Sequence, residues 1–121
     1  MIKKYEDFIS KLITMTNDNK LRWGYFTDNN IADSFGLAEA SVPTFDTKNS
    51  FILYDNSKGA FIALVAPLGS SDLELAILTN SKADYLTISG TEYLQSLTIL
   101  SNIIKNKLLT PEEYIDEFLK L

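Results

Sequence analysis

Catalysis relies on a few side-chain types, and two of the most used do not occur in this 121-residue sequence: it has no histidine and no cysteine. That removes Ser-His-Asp and Cys-His catalysis, disulfides and the usual zinc ligand sets. With histidine goes the side chain whose unperturbed pKa lies nearest neutrality. Carboxylate, lysine, tyrosine and Ser-Lys chemistry remain. Asp28, Asp33, Glu39 and Asp46 are the candidates for paired acid–base work. No periodicity sets two of them on one face, and aspartate is an ordinary turn residue. Asp28, Asn30 and Glu39 match positions 1, 3 and 12 of a calcium-binding loop, but Ala32 and Asp33 stand where that loop needs a ligand and a glycine. No metal is therefore expected. Ser57-Lys58 and Ser81-Lys82 are neighbours in turns, whereas a Ser-Lys dyad requires approach in space. Gly69-Ser70-Ser71 has neither the dinucleotide-loop nor the P-loop spacing, and no cofactor is expected.

One local cluster stands out. Arg22-Trp23-Gly24-Tyr25-Phe26 holds the only tryptophan and the only arginine, and Trp, Tyr and Arg dominate binding hot spots. Two readings compete. In one, Trp23 is core material and Arg22 pairs with a nearby aspartate. In the other, Arg22, Trp23 and Tyr25, with Asp28 and Asp33 beyond them, form a binding site.

The elements that must position these residues are legible from periodicity. Tyr5, Phe8, Ile9, Leu12 and Ile13 form one apolar stripe at helical spacing. Asp7 and Lys11 are spaced for an i, i+4 pair, and Thr16-Asn17-Asp18-Asn19 ends the helix. Residues 20–49 are the least regular. They contain a short strand near 21–27, a short helix from Asn30 to Leu37 closed by Gly36, and an extended Val42 before Pro43. A β-meander follows: residues 50–54, 60–66, 73–78 and 85–88, with connectors short enough for antiparallel neighbours. The strand 60–66 is apolar on both faces, so it is either central and covered twice or has one face against another subunit. Ser89 with Glu92 reads as a capping box opening a helix whose apolar face runs from Tyr93 to Leu108. Thr110-Pro111-Glu112-Glu113 opens a last helix, with Tyr114, Ile115, Phe118 and Leu119 as its buried face. The expected fold is one α+β domain over residues 1–121. An antiparallel meander of about four strands, with a fifth near 21–27, is packed by an N-terminal helix and two C-terminal helices.

Composition narrows the function classes. The formal net charge is −5, with 11 basic residues and 16 acids. Close basic pairs such as Lys3-Lys4 and Lys105/Lys107 are few, which argues against nucleic-acid binding. Residues 21–56 set Arg22 and Lys48 against five acids, and residues 111–121 set Lys120 against four. No apolar run reaches the ~18 residues of a membrane span, and the N-terminus lacks the apolar stretch of a signal peptide. With the absence of cysteine, this leans towards a cytoplasmic protein. Heavy use of Ile, Lys and Asn beside a single arginine suggests an AT-rich bacterial or phage genome. The leading expectation is a non-enzymatic accessory protein acting through protein–protein binding, of inhibitor or immunity type, encoded on a mobile element. The alternative is a small-molecule binder or an enzyme with a site between the sheet and residues 22–49. A homodimer through the strand 60–66 or a bare sheet edge is a third reading.

Overall fold

The computed structural model describes residues 2–27, 38–39, 42–43, 45–79 and 85–121. Helix α1 spans Lys3–Asn17. Short strands β1 (Gly24–Tyr25), β2 (Ala38–Glu39) and β3 (Val42–Pro43) follow, then β4 (Phe51–Asp55), β5 (Ala60–Val65), β6 (Glu74–Thr79) and β7 (Tyr85–Ile88). Helices α2 (Thr91–Lys107) and α3 (Pro111–Leu119) end the chain. The α+β architecture is the expected one. The fifth strand is real: β1 pairs with β4, and the antiparallel sheet runs β1-β4-β5-β6-β7. β2 and β3 pair separately, so Val42 is extended before Pro43. The expected helix Asn30–Leu37, the residues Asp28, Asn30 and Asp33, and the turn at Asn80–Lys82 lie outside the described residues.

The register explains how one sheet has two apolar faces. Phe51, Leu64, Leu75 and Ile88 stand abreast across four strands, as do Leu53, Ile62, Ile77 and Leu86. Apart from Leu86 at the sheet edge, these rows meet Ile9 and Leu12 of α1 and Tyr93, Leu97, Leu100 and Ile104 of α2 in the main core. The alternate positions face the other way. There Ala63 pairs with Ala76, both fully buried, in a second cluster with Val65, Leu78, Phe26 and Phe45. Two small residues side by side leave room for large rings. The rings of Phe26 and Phe45 meet edge to face there, 4.8 Å apart. The doubly apolar strand is therefore central, and this chain's own Phe26 and Phe45 cover much of its second face. Phe61, at the far end of that face, is only half-buried and packs on Tyr54 at 4.5 Å.

The helices on the main face run in the same direction. The backbone N–H of Ile2 donates to the Tyr93 hydroxyl at their N-terminal ends (2.8 Å). Lys107 Nζ donates to Asn19 Oδ1 at their C-terminal ends (2.8 Å). Three local expectations are corrected. Asp7 pairs with Lys3, not Lys11, across 3.6 Å of solvent-exposed surface. The N-cap of α2 is Gly90 rather than Ser89 and makes no side-chain cap bond; its φ of 115° is one that glycine adopts without a Cβ clash. At α3 the capping box of Thr110 and Glu113 does form, but the expected burial does not. No residue of α3 is buried, and Phe118 and Leu119 are 60% and 76% exposed.

Candidate functional site

The segment after α1 is placed by a helix stop made without glycine. Asn19 takes φ 61°, the left-handed region its short amide tolerates. The N–H of Asn19 then donates to the Thr16 carbonyl and that of Lys20 to the Met15 carbonyl, the bonding of a Schellman motif. This turns the chain back across the helix ends and delivers Trp23 beneath them. The indole is buried, and its Nε1 donates 3.0 Å to Thr16 Oγ1. Neighbours in an extended chain point to opposite sides, so Arg22 is exposed. Tyr25 lies on the edge strand, 43% exposed, with its ring 5.6 Å from that of Phe51.

Arg22 and Trp23 line one cleft together, while Tyr25 lies apart on the edge strand. Arg22 borders a second cleft as well. The first, of about 420 Å³, lies between the C-terminal ends of α1 and α2, with Asn19, Lys107 and Leu108 around it. The other, of about 530 Å³, lies between α1 and the β4–β5 hairpin, with Lys11, Lys20, Tyr54 and Asp55 on its walls.

A polar pocket of about 320 Å³ sits at the opposite end of the strands, between residues 66–73 and α2. Its groups are largely occupied by the fold. Asp46 accepts from the Lys48 N–H and the Asn49 amide. The buried Ser50 hydroxyl donates to the Asp46 carbonyl and accepts from the Ala66 N–H. The Asn49 side-chain bond, and after it the Lys48 backbone bond, hold the Asp46 carboxyl below the usual carboxylate range. Among the described residues no three metal-ligating side chains come together.

Among the described residues, two apolar features stand exposed as continuous surfaces. The first is α3, whose Tyr114, Ile115, Phe118 and Leu119 form one exposed stripe. Glu112, Glu113, Asp116 and Glu117 occupy the rest of its circumference. The second is a groove of about 480 Å³ between α1 and the sheet edge, with Tyr5, Phe8, Ile77, Leu86 and Ile88 along its floor. Lys4 and Lys11 stand on its rim, with Asp7 between them. The stripe on α3 is legible in the sequence, where its spacing predicts a buried face; the structure leaves it exposed. Amphipathic spacing reports that a face is to be buried, not against what.

No family model, curated protein or solved structure matches the chain. Among the described residues no helix is long and apolar enough to cross a membrane.

Proposed function

We propose that this protein acts by binding another protein through α3, without catalysis of its own. The observation that carries this is the exposed apolar stripe, 49–76% accessible at each of its four residues, on a helix with a formed capping box. A nine-residue helix is far below the ~12–15 residues at which isolated helices become marginally stable in water. Its N-terminus is nevertheless specified by Thr110, Pro111 and Glu113, each placed as a helix start requires. Such a helix gains its stability when the stripe is covered. The four carboxylates beside the stripe select the partner's chemistry: an apolar groove bordered by lysine or arginine, the helix-in-groove mode of recognition. The inhibitor or immunity-type role expected from composition is one form of such binding.

The test is crosslinking in cells from a photoreactive phenylalanine analogue at position 118. The expected result is a discrete protein adduct, mapped to an apolar segment with basic neighbours and abolished by Ile115→Glu/Leu119→Glu. Absence of any adduct, or an adduct indifferent to those substitutions, defeats the reading.

One observation favours a second reading, a small anionic ligand beside Arg22. Arg22 borders both clefts and has Lys20 and Lys107 for neighbours. Saturable binding of a phosphate- or carboxylate-bearing compound, lost in Arg22→Ala, would favour it over the helix.

A further inference from the structure

We infer that the partner of α3 is a second copy of this chain, with each α3 seated in the other copy's groove between α1 and β7. This rests on the helix-in-groove reading above and names its occupant.

The two surfaces are complementary in kind. The groove floor is apolar and is made of Tyr5, Phe8, Ile77, Leu86 and Ile88. Leu86 is 44% exposed on the last strand of the sheet, so a large side chain is left facing water at that edge. The stripe of Tyr114, Ile115, Phe118 and Leu119 offers the matching apolar surface. The rims carry opposite charge. Lys4 and Lys11 border the groove, about 10 Å apart along α1 at ~1.5 Å per residue. On α3, Glu112 and Asp116 are spaced i, i+4 and lie on one flank of the stripe, and Glu117 lies on the other. Asp7, the one acid on the groove rim among the described residues, pairs with Lys3. Lys4 and Lys11 are thus left to meet the helix acids.

Reciprocal seating closes. Each copy gives one helix and receives one, so the assembly is a two-fold dimer with both stripes and both grooves covered.

The experiment is sedimentation equilibrium of the full chain over a concentration series, with two charge-reversed variants. One is Lys4→Glu/Lys11→Glu, which alters only the groove rim. The other is Glu112→Lys/Asp116→Lys, which alters only the helix flank and spares the capping pair Thr110 and Glu113. All four positions are exposed, and unchanged Trp23 fluorescence checks that each variant is folded. The wild type is expected to dimerise. Each variant alone should dissociate roughly tenfold or more readily, since like charges then face each other at both interfaces. An equimolar mixture of the two should recover wild-type affinity. In that heterodimer one interface is wild type and the other has both rims reversed.

A wild type that remains monomeric, or variants that dimerise unchanged, overturns the inference. A monomeric wild type that still gives the position-118 adduct with a different protein sinks the second copy as occupant but leaves the helix-in-groove reading standing. A monomer that gives no adduct removes both.

Discussion

The indole Nε1 of Trp23 donates a 3.0 Å hydrogen bond to the hydroxyl of Thr16, and both residues are buried. One bond thereby joins the last turn of α1 to the strand-forming segment that follows it. Thr16→Val keeps the shape but leaves a buried N–H without an acceptor, at an expected cost of about 1–3 kcal/mol. Trp23→Ala should cost about 3–5 kcal/mol through the cavity it opens. Urea unfolding of both variants is the check. A Trp23→Ala loss under about 1 kcal/mol would mean the side chain contributes little packing.

The two sheet faces should respond differently to substitution. Leu97→Ala, in the fully buried centre of the main core, should cost about 2–5 kcal/mol. Phe61→Ala should cost less, because its ring is half-buried and leans on the exposed Tyr54. Ala63→Leu should destabilise by about 1–3 kcal/mol, since it fills the space beside Ala76 where the Phe26 and Phe45 rings pack. An Ala63→Leu protein as stable as the wild type would show that the aromatic pair can move aside freely.

Acid should weaken the fold through two turn aspartates. Asp46 is held below the ordinary carboxylate value first by the Asn49 side-chain bond. Asp55 is held there first by the Ser57 hydroxyl. A carboxyl whose folded pKa lies below its unfolded value adds stability at every pH above the unfolded value. That gain is lost as pH falls through the folded one. The contribution is therefore level from neutral pH to about 5 and declines below about 4. Urea midpoints from pH 7 to 3 should fall less steeply for Asp46→Asn/Asp55→Asn. An identical slope would remove these two groups from the acid response.

Helix α3 should be separable from the fold. At concentrations low enough to keep the protein monomeric, Ile115→Ser/Phe118→Ser should change the stability of the domain by no more than about 0.5 kcal/mol, as for exposed positions elsewhere. Thr110→Ala should weaken the helix by about 1 kcal/mol through loss of its cap. Amide exchange across residues 112–119 should then accelerate while that of β5 and α2 stays unchanged. A global loss of protection on either change would show that α3 is part of the cooperative core.

The local elements were largely legible in the sequence because their causes are local. The stripe Tyr5–Ile13, the Asn19 stop, the Thr110–Glu113 capping box and the β4–β5 and β5–β6 connectors each act over a few residues, and each is found where the periodicity and capping residues place it. Residue types also settled which chemistries are closed: without histidine or cysteine the common nucleophile–base pairs and zinc sites have no parts. Tertiary structure decided everything that depends on what a face meets. It sent Trp23 inward to Thr16 and Arg22 outward between two clefts, although the two are adjacent. It covered the second face of β5 with Phe26 and Phe45, and left the equally apolar stripe of α3 open. A period of 3.6 or of 2 records that one side of an element is apolar, and burial energy is the same whichever surface supplies the cover. Only the folded chain shows that Leu97 is covered by this molecule and that Phe118 is not.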